Sequence, residues 1–115
     1  MDLSELALKL KDFAQERNWE QFHSPKNLSM ALAGEAGELL EHFQWLSEEA
    51  STQLGAEKKD QVALEMADIL IYLIRLSERL DVDLVGAAYR KLEINQARYP
   101  TEQVRGDARR AEEYD

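Results

Sequence analysis

Leu3, Leu6, Leu10 and Phe13 recur at helical spacing, with Lys9, Lys11, Asp12 and Glu16 between them, and this predicts an amphipathic first helix that fades near Arg17 and Asn18. Ser24-Pro25 reads as an N-cap followed by proline at the first helical position, so a second helix begins there. Leu28, Leu32, Leu39, Phe43 and Leu46 carry it to about Leu46, where a polar stretch, 47–55, forms the main loop. From about Glu57 a third helix carries Val62, Ile69, Leu73, Leu76 and Leu80. Its middle, 62–74, is apolar on nearly every side, which predicts a central position. Asp81-Val82-Asp83 supplies turn and N-cap chemistry for a fourth helix over about 84–99, which Pro100 ends. β-Branched residues are few and period-two alternation is absent, so the fold class is all-α. The expected organisation is one domain over 1–100 and a charged, mobile tail over 101–115.

At 115 residues the chain fits one small domain whose burial would gain from oligomerisation. Its 23 acidic and 14 basic side chains give a formal charge of −9, so the field as a whole repels nucleic acid and anionic membranes, and an anionic substrate needs a local cation bridge. Without cysteine there is no disulfide framework, thiolate metal site or cysteine nucleophile. The N-terminus does not read as a signal peptide, and no apolar run approaches the roughly 18 residues of a membrane span. The expectation is a cytoplasmic protein with no nucleic-acid or membrane partner.

The informative residues are two acidic pairs spaced i, i+3: Glu35 and Glu38 on the second helix, Glu65 and Asp68 on the third. That spacing projects both members of a pair from one face, as two chelating arms. Such pairs are common on solvated surfaces, but both of these sit among Ala, Leu, Ile and Met, which predicts that both are at least partly buried. Four carboxylates converging at about 5 Å would repel one another by roughly 3 kcal/mol per neighbour at an effective dielectric of 20. A divalent cation removes that conflict, and an oxygen-only donor set favours a hard ion, with magnesium the usual choice beside phosphate. A di-iron bundle would need Glu-x-x-His motifs, which neither pair supplies. Glu38 is the candidate to orient or deprotonate an attacking water.

Gly34 and Gly37 flank the first pair at a helical cost of about 1 kcal/mol each, through close approach of either a helix or a ligand. Lys91, Asn95 and Tyr99 form an i, i+4, i+8 stripe with Arg98 beside them, able to grip phosphate oxygens or simply to be solvated. Trp19, Trp45 and Tyr72, with His23 near the first, are candidates to line a base pocket or to fill a core.

In order, Trp19-Glu20-Gln21-Phe22-His23, Gly34-Glu35-Ala36-Gly37-Glu38, Phe43-Gln44-Trp45, Glu65-Met66-Ala67-Asp68 and Arg98-Tyr99-Pro100 resemble the MazG-like all-α nucleotide pyrophosphohydrolases, and within them the dCTP pyrophosphatase group. The resemblance implies a compact four-helix bundle assembled as a homo-oligomer, tetramer or dimer. It also implies Mg2+ on the four acids and cleavage of a nucleoside triphosphate between the α- and β-phosphates. Lys91, Asn95 and Tyr99 would then contact the triphosphate, and Trp19, Trp45 and Tyr72 the base, with a neighbouring subunit completing each pocket. Leu10 stands where mammalian members carry a histidine at the base site, which loosens the expected preference for cytosine. The rival readings are a non-catalytic helical oligomer or adaptor with structural metal, and the same enzyme acting on dUTP or damaged nucleotides.

Overall fold

Three of the four long helices begin where a short polar side chain takes a backbone N–H that has no partner within the helix. In the computed structural model, which describes residues 2–106 and 108, Asp2 Oδ1 accepts from Glu5 N at 2.9 Å and opens α1, Leu3–Glu16. Ser24 Oγ accepts from Asn27 N at 3.1 Å and opens α2, Pro25–Glu41, with Pro25 in its first turn. The connection between them holds a 3-10 turn, Glu20–Phe22. The second helix stops five residues short of the expected Leu46. His42, Phe43 and Leu46 donate to carbonyls three residues back, at 3.2, 2.9 and 2.9 Å, so the chain tightens into turns.

The polar stretch after it contains a one-turn helix, α3, Glu48–Ser51, because Ser47 Oγ caps Ala50 N at 3.1 Å. The helix α4, Ala56–Arg79, then matches the expected third helix closely. It packs along α2 and, over a shorter length, against α1, with Ala14, Leu28, Val62 and Ile74 buried where they meet. Its central place does not cover it fully. Leu64 is 62% exposed and Met66 58%, with Met30 and Leu40 of α2 also exposed. A helix that is apolar on nearly every side but covered on one side only leaves an apolar face uncovered by the described residues.

Contacts within the chain group as two units, Met1–Val82 and Asp83–Asp115. In the second, Asp83 Oδ1 accepts from Gly86 N at 3.1 Å and starts α5, Leu84–Arg98. Pro100 separates it from a one-turn helix, α6, Thr101–Val104, where a mobile tail was expected. Residue 107 and residues 109–115 of that tail lie outside the described residues. No strand occurs among the described residues, and none of their helices is long and apolar enough to cross a membrane.

Candidate functional site

The packing of α2 on α4 turns two separate i, i+3 pairs into one cluster. Carboxylate oxygens of Glu35, Glu38 and Glu65 lie within 4.8 Å of one another. Asp68 is one turn further along α4, outside that group but near enough for its charge to act on Glu35. Glu35, Glu65 and Asp68 are half-buried as expected; Glu38 is exposed, as are its neighbours on the helix surface, Gly34 one turn before it and Glu41 one turn after. An added Cβ at Gly34 or Gly37 would meet nothing within 4 Å, so close helix packing inside this chain does not account for either glycine.

The cluster is electrostatically incomplete. Oε2 of Glu35 and Oε2 of Glu65 are buried without a hydrogen-bond partner. Burial pushes the Glu35 carboxyl up to about 7, and the close approach of Glu65 and Glu38 with the charges of Glu38 and Asp68 adds to the shift. Two carboxylates have no donor between them, so either a retained proton or a cation must fill that role. Oxygen-only donors, two of them orphaned, fit a hard divalent ion. His42 adds a detail that the sequence analysis did not single out, with Nε2 3.9 Å from Glu65 Oε1. The signal for it was spacing, since Glu35, Glu38 and His42 stand at i, i+3 and i+7 on one face of the helix and the turn that continues it.

Beside the acids, α1, the 19–23 connection and α4 enclose a cleft of about 380 Å3, within the usual range for a small-molecule site. Its walls are apolar and aromatic. Leu10 and Phe13 come from α1, Trp19 from the connection, and Ile71 and Tyr72 from α4. Phe13 and Trp19 meet edge to face at 5.6 Å, and Trp19 N donates to Ala14 O at 2.9 Å. Asp68 lines the same cleft, so the acid cluster and the aromatic pocket share a border, and Lys9, His23 and Arg75 supply its other polar groups.

Three of the four aromatic and imidazole candidates, Trp19, His23 and Tyr72, are thereby brought together. Trp45 is not among the lining residues and stands 87% exposed in the turns after α2. Lys91, Asn95, Arg98 and Tyr99 are in the second unit. Along α5 and its cap, Lys91 and Arg98 are exposed and Asn95 and Tyr99 half-buried, with Tyr99 N bonded to Asn95 O at 2.8 Å and the Arg98 guanidinium 5.7 Å from the Tyr99 ring. Sequence reasoning missed Arg75 altogether. Its signal was present, as a cation inside the apolar run Leu73-Ile74-Arg75-Leu76, where a charge persists only when paired.

The sequence of human dCTP pyrophosphatase 1 is 46% identical over 101 residues, covering 86% of this chain and 59% of that protein. Rat dCTP pyrophosphatase 1 is 48% identical over 99 residues, covering 84% and 58%. The chain therefore spans a little under three fifths of the length of these relatives. A crystal structure of a pyrophosphatase from Archaeoglobus fulgidus superposes with a TM-score of 0.80 at 38% identity, covering 84% of this chain and 91% of that one. Residues 31–113, which include all four acids and the whole of α4 and α5, match the MazG-like family. By that match, by the helical architecture it shares with the archaeal pyrophosphatase and by its identity to the mammalian sequences, this chain belongs to the MazG-like family.

Proposed function

We propose that this chain hydrolyses a nucleoside triphosphate, dCTP or a modified form of it, to the monophosphate and pyrophosphate, with Mg2+ at Glu35, Glu38, Glu65 and Asp68. The observation that carries this reading is the shared border: carboxylates with orphaned oxygens open directly beside an aromatic cleft of nucleoside size. A nucleotide placed across that border has its heterocycle among Trp19 and Tyr72 and its phosphates toward the acids. The names of the curated relatives and the archaeal neighbour, pyrophosphatases all, point the same way.

The bound divalent ion supplies charge neutralisation and Lewis acidity at the phosphates. The chain supplies the rest. Glu35 and Glu65, half-buried and facing each other across the α2–α4 contact, form the fixed part of the donor set. Glu38, the exposed member of the cluster, orients or deprotonates the attacking water, whose oxygen approaches the phosphorus in line. Trp19 and Tyr72 hold the base by stacking, worth about 1–3 kcal/mol per aromatic contact. Lys91, Asn95 and Tyr99, with Arg98, are proposed to bind the triphosphate oxygens. Leu10, at the cleft wall, leaves the base edge without the imidazole of mammalian members, so dUTP and damaged nucleotides stay within the expected substrate range.

The functional form is proposed to be a homo-oligomer, a tetramer or dimer of four-helix units. Leu64, Met66, Met30 and Leu40 form uncovered apolar faces, and Trp45 is exposed where it can complete a neighbour's pocket. The deciding assay is pyrophosphate release from canonical and modified deoxynucleoside triphosphates, first with Mg2+ and then with chelator, for wild type and Glu65→Ala. Metal-dependent release, strongest for cytosine nucleotides and lost in the variant, is expected. Folded, metal-loaded protein that turns over no nucleotide would leave a structural-metal oligomer or adaptor as the better reading.

A further inference from the structure

The wall of the cleft that carries Trp19 and His23 is not a regular helix. It is a short connection, 19–23, built on the 3-10 turn Glu20–Phe22, and such turns have weak internal hydrogen bonding. Something outside the segment must fix it, and the last two turns of α4 do so. Arg75, only 2% exposed, donates from Nη2 to Glu20 Oε1 at 2.6 Å and from Nη1 to Glu78 Oε2 at 2.8 Å. Arg79, one turn on, donates from Nη1 to Glu20 Oε2 at 2.9 Å and from Nε to the His23 carbonyl at 3.1 Å. Both oxygens of Glu20 are thus held by two arginines of one helix face, across 55 and 59 residues of sequence.

The same Arg75 Nη2 lies 3.5 Å from His23 Nδ1. A guanidinium can only donate, so a hydrogen bond across this contact requires Nδ1 as the acceptor and the proton of the neutral imidazole on Nε2. Burial pushes His23 below the ordinary histidine value, with the charges of Arg75 and Arg79 adding to this and that of Glu20 opposing it. Arg75 itself lines the cleft together with His23 and Trp19.

Resting on the nucleotide reading above, we propose that Arg75 is the positioning residue of the base pocket: it clamps 19–23 to α4 through Glu20 and holds His23 in the Nε2–H tautomer, so that the pocket offers a donor to a base with an acceptor edge. Arg75 acts through Trp19 and His23, and its loss affects nucleotide binding more than the chemical step.

The test is Arg75→Met, with Arg75→Lys as the conservative variant and Glu20→Gln as a second way to open the clamp should Arg75→Met fail to fold. Imidazole NMR of histidine-labelled full-length chain reads the tautomer, and amide exchange reads the protection of 19–23. Wild type is expected to show His23 as the Nε2–H form with protected Phe22 and His23 amides. Arg75→Met, or Glu20→Gln, should mix the tautomers and speed exchange at those amides, with Arg75→Lys restoring part of both. For dCTP, KM should rise about tenfold while kcat stays within about twofold, the pattern of lost uniform binding. An unchanged tautomer and unchanged exchange in a folded variant would overturn the proposal, as would a fall in kcat at constant KM. Absence of all nucleotide turnover in wild type would count against the nucleotide reading alone, since the tautomer and exchange data still decide whether the clamp exists.

Discussion

Helix α4 carries two groups of charge about two turns apart, and they are solved in opposite ways. At Glu65 and Asp68 it contributes to a cluster of like charge, with oxygens left unpartnered and one acid pushed up to about 7. At Arg75 and Glu78 it contributes to a group of mixed sign, in which Glu20 bonds both arginines and Lys11 of α1 stands 3.9 Å from Glu78. The first group holds a conflict that a ligand must resolve. The second pairs opposite charges within the chain, with Arg75 Nε buried and left without a partner, and spends its interactions on holding an irregular segment in place.

The largest effect should come from breaking the unsatisfied group. Glu65→Ala is expected to lower metal-dependent turnover by more than about 100-fold, because even the outer partners of metal ligands are worth about 10–100-fold. Pyrophosphate release measures it. The same substitution should not unfold the metal-free protein, because it removes one member of a repelling set.

The reverse is expected at the group of mixed sign. Arg75→Ala should destabilise the fold by about 2 kcal/mol in denaturant titration, since it removes two charge-assisted hydrogen bonds to half-buried carboxylates, which keep only Arg79 and Lys11. A loss below about 0.5 kcal/mol would place this group with ordinary surface ion pairs and erase the contrast.

A third measurement sharpens the comparison through pH. A carboxyl raised from 4.5 to about 7 keeps a proton in the folded chain that the unfolded chain has already released. The stability contributed by Glu35 is therefore fully present below pH 4.5 and lost as pH rises through about 7. The melting temperature of metal-free protein should fall over this window, and Glu35→Gln should flatten the fall. Magnesium should raise the melting temperature more above the window than below it, because the cation replaces the proton.

The smallest effect concerns the glycines beside the acids. With open space around an added Cβ, Gly34→Ala should stabilise the isolated chain by up to about 1 kcal/mol. If thermal melts instead show no gain, or sedimentation shows a weakened assembly, the glycine serves an approach by a neighbouring copy. Unchanged assembly with a raised KM would assign it to the ligand.

Much of the fold was legible because its signals are local. Asp2, Ser24 and Asp83 cap the helices where their side-chain chemistry suits the backbone, and Pro100 stops α5 where it must. The acidic pairs were legible too, since i, i+3 spacing fixes the face that each pair shares, and the apolar surroundings correctly predicted the partial burial of Glu35, Glu65 and Asp68. The end of α2 was not, because the choice between continuing a helix and tightening into turns at His42 rests on small differences in backbone hydrogen bonding. The burial of Glu38 was overestimated for a related reason. Apolar neighbours in sequence say that a helix needs cover, but not which side of it the chain itself covers.

The sequence by itself therefore determined the all-helical class, the starts of the four long helices, the two chelating pairs and the aromatic candidates, all of which depend on spacing over a few residues. Only the tertiary structure decided which of them meet. It gathered Glu35, Glu38 and Glu65 into one cluster, brought Trp19, His23 and Tyr72 to one cleft and left Trp45 outside it. It alone revealed Arg75 as the partner of Glu20, 55 residues away. The physical reason is that charge pairing and cavity formation depend on distance through space, and that distance is set by how α1 and α2 pack on α4.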